Sequence, residues 1–152
     1  MQYVLQPEET VALLSTLSAD QQPVFGKMSP QHMVEHLALI MRISNGRIQV
    51  PVRFPAEKIE AYRKKIIEGP DPIARGVQME RGNDQLPDLR NSGLPAAIED
   101  LRVQIEKFHA YYENNPGATS VHPFFGALNK AEWIIFHQKH FTHHLQQFAL
   151  IP

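Results

Sequence analysis

Four stretches of this sequence repeat apolar side chains at helical spacing, each set off by residues that start or stop a helix. In residues 8–18 the repeat is Val11, Leu14 and Leu17, behind Pro7 and the acidic pair Glu8 and Glu9, which favour the positive end of a helix. The second stretch opens with Ser29 as N-cap and Pro30 at the first helical position, and runs to about Ser44. Met33, Leu37, Ile40 and Met41 share one side of it, and His36 lies on that side too. The third begins near Pro95, carries Ile98, Leu101, Ile105, Phe108 and Tyr112, and is stopped by the NNPG run at 114–117. The last opens with Asn129 and, three residues on, Glu132, the pattern of a capping box. Trp133, Phe136, Phe141, Leu145 and Phe148 supply its apolar surface. These stretches predict an all-α protein, a four-helix bundle.

Between the second and third helices lies a different kind of chain. Residues 46–93 hold five of the eight glycines and five of the twelve prolines, which predicts a long irregular crossover. Segment 56–68 is the expected exception, with Ile59, Tyr62 and Ile66 at helical spacing. RIQVPVR alternates like a strand, but Pro51 inside it allows an edge piece at most. A long connection in a compact domain is often functional, so this one is expected to wall a site. SVHPFFGAL, before the last helix, reads as a loop with large apolar residues packed on the bundle.

A chain of 152 residues corresponds to one domain, 1–152. Its 43% apolar and 20% charged residues exclude wholesale disorder. A net charge of −1 with no clustered basic helix argues against nucleic acid as a partner. No run of 18 apolar residues occurs, so no membrane span is expected. The opening MQYVLQPEET has neither a basic nor an apolar region of the kind a signal peptide needs, so a cytoplasmic location is expected. Zero cysteines exclude disulfides, thiolate metal sites and a cysteine nucleophile.

Histidine is the unusual component: four of the eight fall between residues 137 and 144. His140 and His144, four apart on a helix, lie about 40° apart around its axis and about one turn apart along it, so their imidazoles can converge on one metal ion. Neutral imidazole is a good donor to zinc, nickel, iron or copper. Two ligands seldom hold a metal, and His36, on an apolar helix face where a histidine needs a polar partner, is the best third. His137 and His140 form a competing pair about 60° apart, and spacing alone does not decide between the pairs. A solvated, pH-responsive histidine face is the other reading. His143 points about 100° away from its neighbours, toward the surface or the surroundings of the site.

No G-x-S-x-G elbow, P-loop, G-x-G-x-x-G or H-E-x-x-H occurs. Catalytic residues are unassigned. Glu35 faces a different side of its helix from His36, and Glu132 belongs to the capping box about 12 Å along the axis from His140. Arg63, Lys64 and Lys65 read as a solvated helix face. Tyr111, Tyr112, Phe124 and Phe125 read as core or loop anchors.

MSPQHMVEHL, HPFFGALNKAEW and above all HQKHFTHHLQQF resemble the DinB-like (DinB/YfiT) superfamily, in particular a subgroup known as a domain of unknown function with a terminal H-x-x-H-H-L-x-Q-F helix. The resemblance spans nearly the whole chain in its order of elements and about forty residues by motif. It implies a four-helix bundle of the DinB/YfiT-like type with a long crossover at about 46–93. It also implies a metal site of one histidine on the second helix and the first and last of the terminal cluster. Carried onto this sequence, these are His36, His140 and His144, which favours 140/144 over 137/140. His137, Gln146 and Gln147 then become candidates for the rim of the site or its surroundings, and His122 a fold-closing residue.

Characterised members of that superfamily include metal-dependent thiol transferases and isomerases. A divalent ion on three neutral histidines keeps its charge and open positions, so it can activate water or stabilise a thiolate. The resemblance therefore implies a metal-dependent hydrolase or a thiol-dependent transferase acting on a small-molecule or thiol substrate. The ion expected is zinc or nickel, then iron or manganese. The alternative is a non-enzymatic helical-bundle binding or interaction protein with a degenerate or empty metal site. Bundle helices could also pair two copies as a homodimer.

Overall fold

The computed structural model describes residues 5–75 and 85–152. Helix α1 spans Pro7–Leu14, shorter than the 8–18 expected. Beyond Leu14 the chain tightens into turns, where Thr16 turns its hydroxyl back onto the Leu13 carbonyl at 2.7 Å. Helix α2 spans Pro30–Ser44 with Ser29 as its cap, the hydroxyl accepting from the His32 N–H. Helix α4 (Leu94–Asn114) stops at the NNPG run, where Gly117 takes φ +80°. Helix α5 (Lys130–Gln147) opens on the full capping box, Asn129 and Glu132 each accepting from the other's N–H.

The four-helix bundle is not what forms. The described residues contain five helices and a two-stranded antiparallel sheet. The fifth helix is α3 (Ala56–Tyr62), continued by a π-helical turn at Arg63–Ile67 that buries Ile66 and Ile67. Here the Glu68 N–H reaches the Arg63 carbonyl, five residues back. Gly69 ends the turn where any Cβ would lie 2.7 Å from the Lys65 carbonyl oxygen. Lys139 on α5 stretches its ammonium to the carbonyls of Ile66, Gly69 and Asp71, satisfying the exposed end of the turn. The segment 46–93 is thus not irregular throughout. Residues 76–84, part of the expected crossover, lie outside the described residues.

The sheet falls in the stretch expected to be a loop. Strands β1 (Thr119–His122) and β2 (Gly126–Asn129) pair with Val121 opposite Ala127 and His122 opposite Gly126, which sits at φ +69°. Thr119 and Val121 favour a strand, but four residues per strand give too short an alternation to stand out beside the aromatics of the turn. RIQVPVR forms no strand; it starts in a bend, and the Arg53 N–H donates to the Pro123 carbonyl at the hairpin turn.

Helix α4 packs along α2 and against α1, while the hairpin meets α2 through β1 and α5 through β2. Trp133, Phe108, Phe141, Met33, Leu37 and Leu101 are fully buried at the centre. Arg42 of α2 donates through one nitrogen, Nη2, to both oxygens of the Asp100 carboxylate of α4, at 2.5 and 2.7 Å. Arg63, expected in a solvated face, is half-buried: it donates to the Phe125 and Ala127 carbonyls and pairs with Glu132. Lys64 and Lys65 are exposed as expected. No helix among the described residues is long and apolar enough to cross a membrane.

Candidate metal centre

Helix α5 turns His137, His140 and His144 inward, and all three are buried. Helix α2 brings His36 against two of them. The His36 Nε2 lies 2.9 Å from the His140 Nε2, and the His144 Nε2 lies 3.2 Å from that same atom. The three rings meet edge to face, with centroids 4.7 to 5.0 Å apart. One nitrogen from each residue falls within 4.8 Å of the others, and among the described residues the group contains no carboxylate.

Protons alone satisfy this arrangement poorly. The His140 Nε2 carries either a proton or a lone pair, and it faces two other ring nitrogens. As a donor it has two acceptors for one proton; as an acceptor it has one lone pair for two neighbours. Its other nitrogen, Nδ1, is buried without a hydrogen-bond partner. Three lone pairs around a cation remove the conflict at Nε2. Tetrahedral coordination at about 2.0–2.1 Å would separate nitrogens by about 3.3 Å, close to the two nearest spacings, 2.9 and 3.2 Å. The residues therefore fit a divalent ion and could hold one.

The electrostatics agree with neutral ligands. Burial drives the His140 pKa well below its ordinary value, and the charges of His144 and His36 push the same way. Burial brings His144 down to about 3, reinforced by His36 and opposed by its hydrogen bond to Gln147. The neutral ring is the form that binds a metal.

The competing 137/140 pair does not form. His137 aims its Nε2 at the Ser44 hydroxyl, 2.8 Å away, and packs between the rings of Trp133 and Phe108. Ser44 gives its own proton to the Met41 carbonyl, so His137 is the donor in that contact. His122 is 2% exposed among Phe125, Trp133 and Phe136, and its Nδ1 accepts the Phe124 N–H. It closes the hairpin on the core, as expected of a fold-closing residue. His143 sits at the outer side of α5 against the Phe25 ring, 5.2 Å between centroids. Tyr112 and Phe125 are buried, Tyr111 and Phe124 partly so, all as anchors.

Neither nearby carboxylate is free for chemistry. Glu35 accepts the backbone N–H groups of Arg90 and Asn91 and the Asn91 side-chain amide. Burial would raise its pKa, but those bonds outweigh it and hold the group below its usual range. Glu132 is spent on the cap and on Arg63. Gln31, His32 and Glu35 bind residues 87–91 along the half of α2 that precedes His36. Gln147, expected at the rim of the site or in its surroundings, accepts from His144 Nδ1 at 2.8 Å. The signal was its spacing, one turn beyond His144. Ser44, the partner of His137, had no signal in the sequence, because 93 positions separate the two.

Comparison with curated proteins and with solved structures returns no match. A family described as "Protein of unknown function (DUF1569)" matches residues 72–150, just over half of the chain. The matched part contains His140, His144 and Gln147 and leaves His36 outside it. On that match the chain belongs to the DUF1569 family of proteins of unknown function.

Proposed function

We propose that this protein binds one divalent metal ion through His36, His140 and His144, and uses it on a small-molecule substrate in a hydrolytic or thiol-transfer reaction. The observation that carries the reading is the convergence of three ring nitrogens, 2.9 and 3.2 Å apart at their two closest pairs. Placement of one ligand on the second helix and two on the last also supports kinship with the DinB-like superfamily. When bound, a divalent ion supplies Lewis acidity, and three neutral ligands leave its charge uncancelled. The chain's own residues supply the rest. Phe136 stacks on the His140 ring, 5.0 Å between centroids, and restricts its rotation. Glu35 pins residues 90 and 91 beside the His36 turn. With Glu35 and Glu132 both engaged, the water or thiol proton would pass to a group of the substrate or to solvent rather than to either carboxylate.

The test is elemental analysis of protein purified without a histidine tag or chelator, with His36→Ala, His140→Ala and His144→Ala alongside. About one zinc, nickel, iron or manganese per chain, absent from each folded variant, is the expected result. A wild type that neither retains nor takes up a divalent ion overturns the reading.

A further inference from the structure

Residues 21–26 cross the C-terminal turn of α5 and are bonded to it three times. The Gln21 amide donates to the Phe148 carbonyl at 2.9 Å. The Val24 N–H donates to the Gln147 carbonyl at 2.7 Å. The Gln147 side chain donates through Nε2 to the Phe25 carbonyl at 3.1 Å. Gly26 makes room for that last contact: at φ +77°, a Cβ there would lie 2.8 Å from the Gln147 Nε2.

The Phe25 carbonyl can only accept, so it decides which way the buried Gln147 amide faces. Reversed, the amide would set its oxygen against the carbonyl oxygen. In the favoured orientation its Oε1 lies 2.8 Å from the His144 Nδ1, and an oxygen there requires a proton on that nitrogen. A neutral imidazole protonated at Nδ1 has a bare lone pair at Nε2. That is the nitrogen His144 presents to His140 and His36.

We propose that the Phe25 carbonyl, Gly26 and Gln147 form a relay that fixes His144 in its Nδ1–H tautomer, making Gln147 a positioning residue that readies one ligand nitrogen before any ion arrives. The proposal rests on the metal-site reading for its purpose but not for its geometry. His140 offers the contrast, because its Nδ1 has no partner to fix it.

The experiment has a metal-free arm and a metal arm. In metal-free protein carrying nitrogen-15 histidine, long-range proton–nitrogen NMR reads which His144 nitrogen is protonated, with a His144→Gln sample for assignment. A proton on Nδ1 is expected, and a proton on Nε2 overturns the relay. In Gln147→Met, which keeps the shape and loses the acceptor, the tautomers mix and zinc affinity, read by competition with a coloured chelator, falls about 10–100-fold. Gln147→Glu, whose protonated oxygen can donate to the Phe25 carbonyl while the other accepts from Nδ1, is expected to hold both the tautomer and most of the affinity. An unchanged tautomer in the methionine variant, or equal losses in both variants, reduces Gln147 to packing and overturns the relay. Should the methionine variant fail to fold, Gly26→Ala displaces the same amide from outside and is expected to mix the tautomers. A fixed tautomer in a wild type that binds no ion upholds the relay and removes the metal-site reading alone.

Discussion

His137 and His140 are neighbours on one face of α5, both buried, yet their nitrogens meet different partners. His137, like His122 on β1, spends a nitrogen on the protein itself: a serine hydroxyl in one case, a backbone N–H in the other. Both rings are wedged among aromatics. His140 turns its nitrogen on two other histidines, and the three together could hold one cation. Residue type is the same in both regions, and His122, His137, His140 and His144 are all buried. What separates a structural histidine from a candidate ligand here is whether one ring nitrogen finds a complementary partner in the protein or meets other ring nitrogens.

The largest effect that could break this comparison is on metal affinity. Alanine at His36, His140 or His144 should lower zinc affinity by more than the roughly 10–100-fold typical of losing an outer partner. His122→Ala and His137→Ala, where folded, should keep one ion per chain. Chelator competition on all five variants reads this directly. If His137→Ala released the ion as His140→Ala does, the division between the two regions would collapse.

Stability should divide the regions the other way. His137→Ala opens a cavity between Trp133 and Phe108 and strips the Ser44 hydroxyl of its donor, at about 3 kcal/mol, the scale of large-to-small core changes. Nδ1 is without a partner in both rings, but His140→Ala in metal-free protein also relieves the meeting of three ring nitrogens at Nε2, and should cost less than half as much. Urea unfolding of the two metal-free variants gives the ranking.

Acid should sharpen the contrast further. Burial holds His122 and His137 at a pKa of about 3, against an ordinary value of 6.5. Between those values the unfolded chain takes up a proton that the native protein refuses. Stability is therefore full above pH 6.5 and declines as pH falls toward 3, by up to about 1.4 kcal/mol per pH unit for each histidine. Urea midpoints of metal-free protein between pH 7 and pH 4.5 should show the decline, and His122→Phe should make it shallower. A flat profile would mean these rings are hydrated.

The smallest effect concerns Glu132. Glu132→Gln retains an acceptor for the Asn129 N–H and loses the ion pair with Arg63. It should cost about 1 kcal/mol, the upper end for surface pairs, because both side chains are only 24% exposed, and leave metal affinity unchanged. A change in affinity would restore Glu132 as a candidate for chemistry.

What was legible in the sequence follows from how far apart the interacting residues lie. Ser29, Pro30 and the Asn129–Glu132 box act within a few residues and read directly as helix starts. The His140–His144 pair is local too. His36 was legible only as a polar residue on an apolar face, and its place beside that pair came from the family resemblance. The 137/140 alternative could not be dismissed without knowing that Ser44 arrives from α2. Arg63 looked solvated because the carbonyls and carboxylate it binds come more than sixty positions later. The π-helical turn depends on Lys139, again from a distant helix. The hairpin was hidden for another reason: its strands are too short for alternation to register.

That hairpin also gears the centre. Strand β2 ends at Asn129 and α5 begins at Lys130, so no slack separates sheet from helix. The sheet thereby fixes the rotational phase of everything downstream. One residue added at that junction would turn α5 by about 100°. Lys139 and His143 would then occupy the places of His140 and His144, and Phe136 that of His137. One residue removed would bring Phe141 and Leu145 to the ligand places instead. Four residues of strand thus select which of the crowded histidines of α5 face inward, and a frame slipped by one step in either direction would lose the triad while keeping the helix.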